Sequence, residues 1–300
     1  MTRRGELVVM TRIWPTSDRP SLGAFVRDRV RDAPGVTAIH PGAGPSPWPV
    51  LYARLFWNAI RVRRLRGIEA HVVAPTGLVA WAAARLRGVP VAVYAHGGDV
   101  RGWEGQRFPR RWVTRFVVRH VDRVITNSED TAGHVRRIGV EPIVAPPGVD
   151  LARFTPAPRP VERSVLYLGG RNPRKGYDVA VGLADTLAGP WLRDVDPAEI
   201  PALIHAHDVV LVPSIEEPFG IVAVEAIASG RWVVARAVGG LREILIDGVN
   251  GTLVTDGDFA GALASVPDYD PDVLARTVDR FSLERWQAEL ARIWDGLTAA

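Results

Sequence analysis

The stretch 208-DVVLVPSIEEPFGIVAVEAIASG-230 decides how this chain folds and what it holds. It opens as a β-branched apolar run that stops at Pro213, passes through a polar turn, and becomes helical from Phe219. A buried strand running into a helix is the unit from which parallel α/β sheets are wound. Gly220 sits where turn becomes helix, and without a Cβ it lets a ligand approach the backbone N–H groups there. The helix dipole favours negative charge at that point. Yet Glu217 lies in the turn, and Glu225 lies eight positions later, two turns along the helix. Carboxylates beside an anion site are compatible only with a ligand that is both anionic and hydroxyl-rich, such as a nucleotide-diphosphate sugar. Its phosphates accept from N–H groups and cations, while its hydroxyls donate to carboxylates.

Upstream, 165-VLYLGGRNPRKGYD-178 repeats the construction: an apolar strand, a glycine-broken turn carrying Arg171, Arg174 and Lys175, then a helix. Lys175 is the one lysine among 37 basic residues. A compact ammonium at such a turn suits a phosphate oxygen. Arginine-rich composition alone would also leave a solitary lysine.

At 300 residues, 47% hydrophobic and 23% charged, the chain reads as globular and long enough for two domains. Cysteine is absent, which excludes disulfides, thiolate metal sites and cysteine nucleophiles. The apolar run 7-LVVM-10 is too short for a signal core and no later run has membrane-span length, so the expectation is a cytoplasmic protein. A charge of +4 and an isoelectric point near 9.9 suit phosphorylated ligands, anionic membrane or nucleic acid. Nucleic acid is the weakest of these, since no zinc-finger or aromatic RNA-binding signature is present.

Short β-branched runs alternate with helix-length stretches throughout. Strands are expected at 6-ELVVM-10, 70-AHVVA-74, 90-PVAVYA-95, 122-DRVITN-127, 141-EPIVA-145, 164-SVLYL-168, 208-DVVLVP-213, 232-WVVA-235 and 252-TLV-254. Dense proline over 146–163 reads as a linker. The last helix carries Leu283, Trp286, Leu290 and Trp294 at helical spacing. Two doubly wound domains would hold a ligand in the cleft outside the carboxyl ends of their strands. Competing motifs fail on context. Asp194-Val195-Asp196 could hold a metal, but before Pro197 aspartate is favoured as a helix cap. The run 42-GAGPSP-47 begins like a dinucleotide fingerprint and meets proline where its helix should start.

The segment 208–230 resembles the E-x7-E signature of retaining GT-B glycosyltransferases of group 1, family 4. In the same order, 15-PTSDRPSLGAFVRDRV-30 resembles that family's first glycine loop, and 93-VYAHGGDV-100 its His-Gly-x-Asp stretch. The runs 122-DRVITNSEDT-131, 145-APPGVDLARFTP-156 and 238-VGGLREILIDGVNGTLV-254 are similar to its end-of-domain strand, linker and closing segment. The likeness covers most of the chain. It implies two Rossmann-like domains with an interdomain cleft: 1–153 on the acceptor side, 154–281 for the nucleotide sugar, and 282–300 as a helix packing back on the first domain. It implies transfer of a hexose with retention, needing no metal and no cofactor beyond the nucleotide-sugar donor. By the same likeness, Arg171 and Lys175 hold the diphosphate, Glu217 contacts the sugar, and Glu225 accepts from ribose hydroxyls. Backbone around Phe219, Gly220 and Ile221 contacts sugar and phosphates, Gly23 lies at the site mouth, and His96 reaches the transferred sugar.

One departure stands out. Only 32 residues separate Lys175 from Asp208, where the family carries two further strands, so the second sheet is expected to have four core strands rather than six. That would leave 164-SVLYL-168 as an apolar edge for Trp191 or a homodimer partner to cover. A nucleotide-sugar-binding protein without turnover, or an epimerase on the same fold, is the other reading. The acceptor is an unidentified hydroxyl. A lipid-linked acceptor and contact with a membrane surface would suit 48-WPVLYARLFWNAIRVRRLRG-67 and 103-WEGQRFPRRWVTRFVVRH-120, which mix aromatics with arginine; core helices with arginines reaching to solvent fit them equally.

Overall fold

The computed structural model describes residues 5–16, 22–42, 46–190, 192 and 195–299. Trp191, Asp194 and residues 17–21 of the glycine loop lie outside them. The chain divides into two compact units, one of residues 1–146 and 286–300 and the other of residues 147–285.

The first unit is built on a parallel six-stranded sheet. Its strands are β1 (Glu6–Thr11), β2 (Val36–Ile39), β3 (Leu65–His71), β4 (Val91–Ala95), β5 (Arg123–Thr126) and β6 (Ile143–Val144), in the order β2-β1-β3-β4-β5-β6. Helices α1 (Ala24–Val30), α2 (Trp48–Arg61), α3 (Thr76–Arg87), α4 (Arg110–His120) and α5 (Glu129–Ile138) connect them. The crossover from β1 to β2 runs opposite to all later ones. With right-handed connections this puts α1 on one face and α2 to α5 on the other, and α2, α3, α4 and α5 do pack side by side in that order.

Local sequence explains these elements. Ser128 accepts from the Thr131 N–H at the start of α5, Glu129 and Asp130 fill its first turn, and Gly139 ends it in the left-handed region. On the α2–α5 face the sheet presents apolar side chains, with Val8, Met10, Ile68, Ala70, Val91 and Val93 buried. On the opposite face β3 presents Glu69 and His71, also fully buried.

Two expectations for this sheet need correction. Strand β3 covers residues 65–71 rather than 70–74; Val72, the next residue, has φ +84°, so the chain leaves the extended region there. Strand β2 was not among the expected strands, because 36-VTAI-39 is too short to show a period.

The second unit carries a parallel five-stranded sheet in the order β11-β10-β9-β7-β8. Its strands are β7 (Val165–Tyr167), β8 (Thr186–Leu187), β9 (Val209–Val212), β10 (Trp232–Arg236) and β11 (Gly251–Val254). Its helices include α6 (Tyr177–Ala180), α7 (Ile200–His205), α8 (Ile221–Ala228), α9 (Leu241–Ile244), α10 (Phe259–Ala264) and α11 (Pro271–Arg276).

The expected four-stranded sheet is therefore five-stranded, and β7 is not an edge. It pairs with β9 on one side and with β8 on the other, through Leu166↔Thr186 and Tyr167↔Leu187. Asp185 pins that junction: its carboxylate accepts from the Val165 N–H at 2.7 Å and its own N–H donates to the Val165 carbonyl at 2.9 Å. A two-residue strand leaves no periodic trace in sequence, which is why the edge looked bare. The chain closes with α12 (Leu283–Ala299), in which Leu283, Trp286, Leu290 and Trp294 are all buried. In the first unit it meets α1, where the Gln287 amide donates to the Asp28 and Arg31 carbonyls at 3.0 and 2.9 Å.

Candidate active site

Because every strand in each sheet is parallel, the loops that follow the strands gather at one edge. In the second unit three such loops are stitched together. The turn after β7 is shaped by Asn172, whose side chain accepts from the Arg174 N–H at 3.0 Å, and by Gly176 at φ +75°. Gly176 lies so close to the end of β9 that a Cβ would stand 2.3 Å from the Pro213 carbonyl oxygen. The Ile215 N–H donates to the Arg174 carbonyl at 2.9 Å. From the loop after β10, the Gly240 N–H donates to the Glu217 carbonyl at 3.0 Å.

This stitching brings the lone lysine to the first glutamate of the E-x7-E stretch. Lys175 Nζ donates to Glu217 Oε1 at 2.9 Å and to Oε2 at 2.7 Å, and Ser214 Oγ donates to Oε2 at 3.0 Å. The glutamate side chain is 10% exposed and the lysine side chain 36%. The amine is thus a paired one, with a third N–H beyond the two that the carboxylate takes. Tyr167, whose hydroxyl donates to the Gly170 carbonyl at 3.1 Å, is pushed well above the usual phenol range by burial, with Tyr177, Asp178 and Glu217 adding to it. It stays a neutral donor.

Gly220, at φ +113°, starts α8, and the first intrahelical donor is the Ala223 N–H. The preceding amides, including that of Ile221, open the helix. Phe219 turns its ring into the core, edge-on to Phe281 at 5.5 Å, so only its backbone can face a ligand. Glu225 lies half-buried along the same helix. Arg171 projects into solvent, anchored by its N–H to the Pro190 carbonyl at 2.9 Å.

The first unit has its own cluster at the corresponding edge. Gly23, at φ +71°, begins α1, and a Cβ there would lie 2.7 Å from the Ile13 carbonyl oxygen. Two residues on, the Phe25 ring sits 4.8 Å from that of His96, so the glycine loop and the histidine are brought together. His96 immediately follows β4; its N–H donates to Asp99, which also accepts from the Val73 N–H at 2.9 Å.

Beneath His96 runs a buried chain that sequence reading did not single out. His96 Nε2 and His71 Nδ1 are 3.1 Å apart, and His71 Nε2 lies 3.1 Å from Glu69 Oε1. Arg29 clamps Glu69 with two bonds of 3.0 and 3.2 Å, and the Trp294 indole donates to it at 2.6 Å. Burial pushes the Glu69 carboxyl up, but Arg29 and His71 outweigh it and hold it well below the carboxylate range. Burial, and then His71, push His96 well below the usual histidine range, so it is neutral at pH 7.

Ionised Glu69 accepts from His71 Nε2–H, and a hydrogen bond joins His71 Nδ1 to His96 Nε2. The signal available in sequence was 68-IEAHV-72, two polar residues two apart in an apolar run, one face of a strand. Placing the strand at 70–74 hid that phase.

Comparison with known proteins agrees with this architecture. The family model described as Glycosyltransferase Family 4 matches residues 2–153, and that described as Glycosyl transferases group 1 matches residues 190–269. The D-inositol 3-phosphate glycosyltransferase of Mycobacterium tuberculosis is 31% identical, over 90% of this chain and 68% of that protein. Among solved structures, the Anabaena protein HepE in complex with UDP-glucose aligns with TM-score 0.77 at 18% identity, over 97% of this chain and all of that one. The sucrose-phosphate synthase of Thermosynechococcus elongatus aligns with TM-score 0.73 at 20% identity, over 98% and 99%.

Proposed function

This chain belongs to the group 1 glycosyltransferases, nucleotide-sugar enzymes of the GT-B fold, and from that premise we propose that it moves a hexose to an acceptor hydroxyl with retention and without a resident metal. The bond from the anomeric carbon to the phosphate oxygen breaks, one to the acceptor oxygen forms, and the acceptor hydroxyl's proton passes to the departing phosphate oxygen. Negative charge grows on the leaving diphosphate. The observation that carries the reading is the ammonium of Lys175 held by both oxygens of Glu217 beside the start of α8. A cation locked in place before reaction needs no reorganisation as that charge develops.

In this reading Lys175 and Arg171 neutralise the diphosphate, and the opening amides around Phe219, Gly220 and Ile221 hold its oxygens. Glu217 aims the ammonium and accepts from a sugar hydroxyl, and Glu225 accepts from the ribose. Gly23 leaves room for the donor, while His96 hydrogen-bonds a hydroxyl of the transferred sugar through Nδ1, the ring nitrogen that His71 does not engage. Two protein cations take the place a divalent ion would have at the leaving group.

The test is a panel of UDP-, GDP- and ADP-sugars, with acceptors that include an inositol phosphate, read by nucleotide release. Release that depends on acceptor, persists in chelator and yields a product of unchanged anomeric configuration is expected. Lys175→Ala should slow it by about 10²-fold or more. Binding without release under every acceptor would favour a non-catalytic module, and unchanged turnover in the lysine variant would remove the clamp.

A further inference from the structure

Charge is divided unequally between the two units. The first holds 24 arginines against 13 acidic residues, a net +11, while the second holds 13 basic residues against 20 acidic, a net −7. The excess is concentrated further. No aspartate or glutamate occurs from residue 33 to 68 or from 105 to 121, the spans that supply α2 and α4.

Those two helices flank α3 in one layer on the outside of the first sheet. Along α2, Val50, Arg54, Trp57 and Arg61 fall at i, i+4, i+7 and i+11, one stripe, and all four are exposed. The Arg61 guanidinium lies over the Trp57 ring, 5.8 Å from its centroid. On α4 the matching outward group is Trp112 and Arg115, just after Phe108, which is 83% exposed. Trp48, at the start of α2, is 62% exposed.

Each helix in a parallel α/β layer begins at the strands' carboxyl edge. Trp48 and Phe108 therefore stand at the same edge as Gly23 and His96. Large aromatic rings left in solvent cost free energy, and arginines without acids between them repel one another; one surface answers both. An anionic bilayer takes aromatic rings at its headgroup level and guanidinium groups at its phosphates. Among the described residues no helix is long and apolar enough to cross a membrane, so the contact is with the surface.

We infer that the outer face of the α2–α4 layer docks on an anionic lipid bilayer, carrying the carboxyl edge of the first sheet to the membrane surface. Double-stranded nucleic acid shares the phosphate chemistry but does not call for exposed rings; single strands, whose bases stack on rings, are separated from a bilayer by the oligonucleotide arm of the test.

The full chain is mixed with vesicles containing about one third phosphatidylglycerol, with wholly zwitterionic vesicles, and with single- and double-stranded oligonucleotides. Sedimentation with the anionic vesicles alone, weakening as salt rises, is expected. Each interfacial arginine contributes about five-fold to partitioning, so Arg54→Gln with Arg115→Gln should lower it about 25-fold. Trp57→Ala with Trp112→Ala should lower it on anionic vesicles too. All four side chains are exposed, so the far-ultraviolet spectrum and thermal unfolding should not change. Absence of vesicle binding at low salt, equal binding by the variants, or oligonucleotide binding that the same variants abolish in place of vesicle binding would each overturn the inference. The readout is partitioning, so its failure leaves the transfer reading untouched.

Discussion

Glu69→Gln is the substitution that most directly tests the buried chain in the first unit. Gln keeps the length and shape of the side chain but removes the charge. Glu69 is fully buried, and the Arg29 side chain that it neutralises is only 2% exposed, so the guanidinium would be left without its counter-charge. Removing one partner of a buried pair costs about 3–5 kcal/mol, a large share of the 5–15 kcal/mol that holds a typical domain together. The sign of the pH dependence follows from the depressed carboxyl. Its stabilisation is fully present above the unfolded-state value, near 4.3, and is lost as pH falls through the lower folded value. The gap between wild type and variant should therefore be widest at neutral pH and shrink as the solution is acidified below about pH 4. Urea unfolding followed by tryptophan emission measures it, since Trp286 and Trp294 sit in this unit. A loss below about 1 kcal/mol at pH 7.5, or a gap that ignores acidification, would refute the reasoning.

Three further predictions concern single groups. His96 is neutral and resists protonation in the fold, whereas the unfolded chain takes up that proton near pH 6.5. Stability of the first unit should thus fall as pH drops below that value, and His96→Asn should flatten the slope in thermal unfolding between pH 5 and 8. Gly176→Ala forces a Cβ against the Pro213 carbonyl at φ +75°, and should destabilise the second unit by about 1–3 kcal/mol. Gly182→Ala, whose nearest neighbour would be 4.0 Å away, is the control and should leave the unfolding midpoint in place. Glu217→Gln should lower turnover of the nucleotide sugar about 10²-fold while calorimetry shows the free nucleoside diphosphate binding within about three-fold of wild type. A parallel loss of nucleotide affinity would move Glu217 from the sugar to the phosphates.

What the sequence by itself determined is whatever a few neighbouring residues encode. Strand β9, the turn at Pro213 and the start of α8 are all written within 208–230, because β-branched periodicity, a proline stop and a left-handed glycine act over single turns. The apolar stripe of α12 was legible for the same reason. Lys175 and Glu217 could each be singled out.

That they meet was decided only by the tertiary structure, since they are 42 positions apart and their contact depends on Gly176 resting against the end of β9. Strand β8 exists because β7 offers a ladder to two residues that carry no pattern of their own. The buried chain is the furthest case. Glu69 is neutralised by Arg29 forty positions before it and bonded by Trp294 a further 225 positions on. Local propensity has no means of recording how a buried charge is satisfied, because the groups that replace its water come from wherever the fold places them.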